Sequence, residues 1–494
     1  MPVILPYLLS EIWQAKVHLS RLSSFWGPAQ IDISIKILSN KSNYYTGLKE
    51  LINLPPQLAL IIVLIFISCV IYIEHKTTEN TSGAVWIIAI WILYSGSKGL
   101  GFFINIHTTI EAGSLPDRYF LLAVGIISLI ILFQRRFSFI SSVKFNIPVV
   151  LILIYSLISV IWSRTPGISF RRWGREAVAL IIALLLSSEK YPINTISSAF
   201  KKAIYLALPL SILLIKYYPS YGRSYGRWSG DERWEGIASQ KNGLAMICAM
   251  AILFLICSLG QDLKNWSQSS SRLPIFIDIF MVSLALYLMM GPRRTLVYSA
   301  TSFLALTVGL IFLTFLKWSV KQMINIEKEI MILAVIIIAI GIFIPFSDKI
   351  PTKSLPKLLN RNETLTGRTE IWRALIPYAK QNILLGHGFG GFWTTSLRNK
   401  IGSHAHNGYL DTILDLGLVG VLLSIIFILI LLKKSLNLLN PDNKISIFFI
   451  SLIIMILVRN IAEVSLGEFA NYSTWLLLAW SFILSKREDI NALN

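Results

Sequence analysis

The chain has 494 residues, 54% of them hydrophobic and only 14% charged, where an ordinary soluble domain carries about 25% charged residues. Its mean hydropathy of +0.65 excludes a soluble enzyme and gives no reason to expect a nucleic-acid partner. Forty-five Lys and Arg against 26 Asp and Glu leave a net charge of +19, crowded onto a small polar surface, so an anionic partner or function must account for it.

In chain order, residues 1–57 form an N-terminal extension. It opens on MPVILPYLL, too short to cross a hydrocarbon core about 30 Å thick and without the small-residue cleavage site of a signal peptide; an interfacial helix is expected. Apolar runs then recur at 58–73, 84–104, 119–133, 146–162, 176–187, 199–217, 243–259, 273–290, 295–316, 330–346, 408–432, 445–459 and 472–484. They predict an all-α polytopic membrane protein of about twelve transmembrane helices. The expected organisation is a transmembrane bundle over 58–346, a large polar loop over 347–407, and C-terminal spans with a cytoplasmic tail over 408–494. The three cysteines, Cys69, Cys248 and Cys257, lie in apolar runs without metal-like spacing and read as small core residues.

Polar connections stand out at 163–175, 218–242 and 347–407. Within the last, Ile371, Leu375, Ile376 and Ala379 recur at helical spacing, which predicts a helix lying on the membrane surface. Counting spans puts these loops and the turn at 291–294 on one face. Basic residues are plentiful on both faces, but those of the opposite short loops (Arg135, Arg136, Lys144, Lys201, Lys202, Lys433 and Lys434) have few acids beside them. That makes the opposite face cytoplasmic by the positive-inside rule. The outward excess of Arg then needs another cause, such as a polyanionic or pyrophosphate ligand.

Three of six histidines fall within twenty positions: His387 in GHGFGGFW, and His404 and His406 in SHAHNGYLD. His404 and His406 precede a long apolar run and so stand at the mouth of a helix, where a neutral imidazole can act as general base; a pair of exposed loop histidines is the plainer reading. A metal is not expected, because His-x-His has no third ligand of obvious spacing. Arg227, Trp228, Arg233, Trp234 and Lys241 mix cations with indoles, as a phosphate and sugar site or an aromatic interfacial belt would. Arg293 and Arg294 follow Gly-Pro at a tight turn between apolar runs, and Arg368 is a further cation on the same face. Gly386, Gly388 and Gly391 satisfy G-x-G-x-x-G with no strand before them, so they read as a turn rather than a dinucleotide site.

Six segments taken in order resemble the O-antigen ligase and O-antigen polymerase superfamily of bacterial envelope proteins. They are SLISVIWSRTPGISFRRWGRE (156–176), RWEGIASQKNGLA (233–245), GPRRT (291–295), LTGRTEIW (365–372), GHGFGGFW (386–393) and SHAHNGYLDTILDLGLVG (403–420). The resemblance implies a GT-C-like glycosyltransferase of the inner membrane, working on the periplasmic face with neither metal nor other cofactor. The implied donor is a glycan on undecaprenyl pyrophosphate, and the acceptor a growing glycan or lipid A core. Membrane lipid and envelope polysaccharide assembly proteins are the further partners implied. His406 would serve the acceptor hydroxyl, with His404 its rival. Arg233, Arg293 and Arg294 would hold the pyrophosphate, with Lys241, Arg368 and Arg227 behind them and Trp234, Asn407 and Tyr409 lining the sugar. Polymerase is favoured over ligase. A lipid-linked oligosaccharide flippase is the competing class, and it would show two similar halves with broken helices at corresponding places.

Overall fold

The structure is a computed structural model that describes residues 54–78, 80–106, 113–226, 230–262, 272–292, 296–347, 366–440 and 444–493. It divides into two compact units, residues 1–62 and 63–494. In the first unit the described residues, 54–62, hold the opening turns of helix α1 (Pro56–Thr77).

Each expected apolar run falls on a helix: α2 (Ala84–Gly96), α3 (Leu115–Gln134), α4 (Ile147–Ile158), α5 (Pro166–Ser187), α6 (Pro192–Tyr217), α7 (Lys241–Asp262), α8 (Leu273–Met290), α9 (Ala300–Lys321), α10 (Glu327–Phe343), α13 (Gly408–Leu436), α14 (Lys444–Asn460) and α15 (Tyr472–Leu493). The polar loop contributes α11 (Thr366–Gln381) and the short α12 (Thr395–Lys400). Among the described residues, eight helices are long and apolar enough to cross a membrane, and two further apolar segments, Ala84–Gly96 and Ile147–Trp162, are shorter. The all-α reading holds, with one small exception. Strands β1 (Arg223–Tyr225) and β2 (Glu232–Trp234) form an antiparallel hairpin inside the 218–242 loop, with Arg223 opposite Trp234.

Burial separates the centre of the bundle from its rim. In α6 and α7, 72% of the apolar stretch is buried, against 17% in α3, whose Leu122, Ile126, Ile127 and Ile130 face outward as a lipid-contacting surface would. Helices α14 and α15 are buried along most of their length, and Trp480 stacks on Phe449 with centroids 4.4 Å apart.

Three local departures from the sequence reading have physical causes. The run at 84–104 breaks after Gly96 because buried Lys98 ties the chain to the hairpin loop. Its N–H donates to the Ile237 carbonyl at 2.7 Å, and its ammonium to the Tyr221 carbonyl at 2.6 Å and the Glu235 carboxylate at 3.1 Å. Much of the 163–175 loop is helical, since Pro166 opens α5 at a position where a missing N–H costs nothing. Finally, α11 does not present its apolar face to a membrane surface. Trp372, Leu375 and Ala379 are buried in a cluster with Phe392, Leu410, Ile413, Leu414 and Val421. Packing against protein removes this stripe from water as well as lipid would.

Helix α13 is broken at Gly417, which adopts φ 64° and ψ −165°. The N–H groups freed by the break donate to the 383–384 segment, Leu418 to Ile383 at 2.8 Å and Val419 to Leu384 at 3.2 Å, while His387 N–H returns to the Leu414 carbonyl at 2.9 Å. Tyr155 donates its hydroxyl to the Leu416 carbonyl at 3.0 Å. Broken backbone at membrane depth is tolerated where protein re-satisfies its polar groups in this way. The glycine-rich stretch is the turn expected: Gly386, Gly388 and Gly390 have positive φ, and a Cβ on Gly386 would meet the Gly417 nitrogen at 2.6 Å.

Candidate active site

The connection between α14 and α15, residues 461–471, brings a buried carboxylate to the loop end of the bundle. Glu463 has a side chain 1% exposed, and its Oε1 accepts from three donors: Asn242 Nδ2 at 2.6 Å, Arg368 Nη2 at 2.9 Å and His406 Nδ1 at 3.3 Å. Its Oε2 lies 3.6 Å from His404 Nε2. The four partners come from the start of α7, from α11 and from the turn before α13, so this carboxylate joins segments far apart in the chain. Burial alone would resist its ionisation. The neighbouring His404 and His406 imidazoles, with the charge of Arg459, outweigh that and hold the Glu463 carboxyl well below the usual range.

The His-Ala-His turn is fixed through its middle residue. Ala405 is fully buried; its N–H donates to the Asp411 carboxylate at 3.2 Å and its carbonyl accepts from Trp372 Nε1 at 2.8 Å. Trp393 Nε1 holds the same Asp411 oxygen at 2.8 Å. With Ala405 turned inward, the flanking rings sit together, their centroids 4.0 Å apart. His406 adopts φ 52°, an unusual conformation for a side chain with a Cβ, held here by the surrounding contacts.

The two histidines differ in what they leave available. His404 Nδ1 bonds Ser403 Oγ at 2.7 Å, and its Nε2 is buried without a hydrogen-bond partner. His406 is 27% exposed. With Glu463 ionised, His406 Nδ1 is the protonated nitrogen, which leaves Nε2 with a lone pair. Burial, partly offset by the hydrogen bond to Glu463, lowers the His406 pKa, so the ring is neutral near pH 7.

Cations surround this pair. Arg459, buried at the end of α14, donates to the Asn242 carbonyl at 3.0 Å and bonds Ser302 and Ser465. Asn242 also accepts from Ser299 Oγ at 3.2 Å. Next to Ser299, Tyr298 carries the Lys241 ammonium over its ring at 5.2 Å, accepts the Trp234 N–H at 2.8 Å and lies within the field of Arg233. Thus Arg368, Lys241, Arg233, His404 and His406 are linked through Glu463, Asn242 and Tyr298. Arg227, Arg293 and Arg294 lie outside the described residues.

Three sequence candidates have their polar groups committed within the fold. Asn407 caps α13 by accepting from Leu410 N–H at 2.8 Å, and its amide donates to the Gly341 and Ile461 carbonyls at 2.9 Å each. The buried Tyr409 donates to the Leu457 carbonyl at 3.2 Å. Trp234 is buried and its Nε1 donates to Glu232 at 3.0 Å. His387, singled out with the other histidines, is buried against Phe392 with Nδ1 on the Asn382 amide at 2.8 Å.

Sequence reasoning missed Glu463, Arg459 and Asn242. The available signal was an Arg-Asn pair ending the apolar run 445–459, followed by two acids, Glu463 and Glu468, in a connection that span counting puts on the same face as the 347–407 loop.

His404, His406 and Glu463 each offer one ligand atom, all within 4.8 Å of one another, a donor set known from divalent metal sites. Arg368 shares the Glu463 oxygen, so a guanidinium already neutralises this carboxylate. The arrangement is a histidine-carboxylate pair with a guanidinium on the same carboxylate, and its neutral imidazole is able to take a proton.

Fold and site thus define a polytopic all-α membrane protein with a partly buried histidine-glutamate site at the end of its bundle. Residues 267–425 match a family model described as O-Antigen ligase. Exopolysaccharide production protein ExoQ of Rhizobium meliloti (strain 1021) is 22% identical over 288 residues, a match spanning 55% of this chain and 60% of that relative. These comparisons bear out the resemblance to the O-antigen ligase and polymerase superfamily.

Proposed function

We propose that the protein is a membrane glycosyltransferase that moves a glycan from undecaprenyl pyrophosphate to an acceptor sugar hydroxyl on the periplasmic face of the bacterial inner membrane. The observation that carries this reading is the His406 to Glu463 pair, which leaves a neutral Nε2 among cations. In the reaction His406 Nε2 takes the acceptor hydroxyl proton as that oxygen bonds the anomeric carbon. The anomeric carbon-to-phosphate-oxygen bond breaks and its electron pair leaves on the lipid pyrophosphate. Arg368, which stands at the pair through Glu463, would neutralise that leaving group, with Lys241, Arg233, Arg293 and Arg294 as further anchors. Glu463 orients the imidazole and stabilises the imidazolium that forms. His404 is a positioning residue, because its Nε2 is turned to Glu463. No step calls for a nucleotide sugar or a metal.

Extension of a polysaccharide is preferred to ligation onto lipid A core, since the similar ExoQ is named an exopolysaccharide production protein. The test is transfer in proteoliposomes containing lipid-linked donor and a defined acceptor. New glycosidic product from the parent, lost in His406→Ala, supports the reading; movement of donor lipid between leaflets without any new glycosidic bond refutes it in favour of a flippase.

A further inference from the structure

Residues Glu370, Ile371, Ala374 and Tyr378 lie on one side of α11. Together with Lys400 and Ile401 at the end of α12 they line an open cleft of about 350 Å³, within the size range of small-ligand sites. The lining is mixed. Tyr378 is held edge-on to Phe392 at 5.7 Å and so is fixed by the core beneath it. Glu370 and Lys400 are exposed, and among the described residues neither side chain makes a hydrogen bond or an ion pair.

We infer that this cleft binds the acceptor glycan, an inference that rests on the proposed transferase activity. A sugar ring has apolar C–H faces that suit an aromatic side chain and aliphatic neighbours, and a rim of hydroxyls that need both acceptors and donors. Tyr378 with Ile371 and Ile401 supplies the first, Glu370 and Lys400 the second. A purely lipidic ligand would have no use for the carboxylate, and a simple anion none for the tyrosine. Both walls of the cleft adjoin site residues in the sequence. Arg368 lies two residues before Glu370, and His404 follows Ile401 by three.

The test uses full-length protein in proteoliposomes with lipid-linked donor and, as acceptor, repeat-unit oligosaccharide released from the polysaccharide of the host. Tyr378→Ala and the fully surface-placed Lys400→Gln should raise the acceptor KM by about tenfold without moving the donor KM, and higher acceptor concentration should recover the rate. Arg373→Ala, outside the cleft on the same helix, should leave both unchanged. An unaltered acceptor KM in both cleft variants, with the parent active, overturns the inference and leaves the transferase standing. A parent that makes no glycosidic bond overturns both. Saturation-transfer NMR separates the remaining case: a cleft that releases the oligosaccharide signal but binds anionic phospholipid vesicles through Lys400 is a membrane contact, and the inference is wrong.

Discussion

His406 Nδ1 lies 3.3 Å from Oε1 of Glu463, a residue 57 positions further along the chain. The contact assigns the imidazole tautomer, because an ionised carboxylate accepts only from a protonated nitrogen. It also places the free lone pair on Nε2 of a ring whose neighbour His404 is directed to the same carboxylate. The local chemistry follows from that one geometry.

Glu463→Gln keeps the shape and removes the charge. We expect a loss of about 10²-fold or more in transfer rate, with the protein still folded by size-exclusion profile. A Glu463→Gln variant of parental rate would mean that the carboxylate only supports the loop.

The pH dependence has a definite sign. His406 titrates below its ordinary value, and the neutral ring is the active form, so the rate falls as pH drops through that lowered value. The carboxylate raises this pKa, so Glu463→Gln should move the acid limb to still lower pH in whatever activity survives. Glu463 itself has a depressed folded-state pKa, against about 4.3 in the unfolded chain. Its stabilising contribution is present above that unfolded value and is lost as pH falls through the folded one. Detergent thermal melts across this window read the second effect separately from the first.

Asn407→Ala is predicted to act on stability. It removes the α13 cap and leaves one buried and one partly buried carbonyl without their amide donor, a cost of about 2 kcal/mol or more. A lowered melting temperature is expected; an unchanged one would free Asn407 for the sugar-contact role that the sequence suggested.

Gly417→Ala tests the break in α13. At φ 64° and ψ −165° a side chain is strained, and a Cβ would stand 2.2 Å from the Leu384 carbonyl oxygen. Poor expression or a fall in melting temperature is expected, whereas a fully stable variant would show that the helix can straighten.

Much of the fold was legible because a bilayer imposes long apolar runs, and each such run is a helix here. The hairpin at 223–234 was hidden, since three-residue strands carry too little alternation to register. The face of α11 was readable from its periodicity, but its partner was not: Trp372, Leu375 and Ala379 pack on α13 rather than on a surface. In the site, the histidines and Arg368 announced themselves by clustering and by charge. Glu463 and Asn242 did not, because one of two acids in an eleven-residue connection and an amide at a helix start acquire meaning only when the chain brings them together. Asn407 illustrates the converse, a polar residue beside a functional histidine whose position is explained by a cap.

The most direct test of the central claim is the single-turnover rate of glycosidic bond formation in proteoliposomes, with donor binding measured in parallel, for the parent and His406→Ala. The account predicts that His406→Ala binds lipid-linked donor as the parent does and forms bonds at least about 10²-fold more slowly. An equal rate in the two proteins would contradict it, as would a parent that binds donor and forms no bond at all.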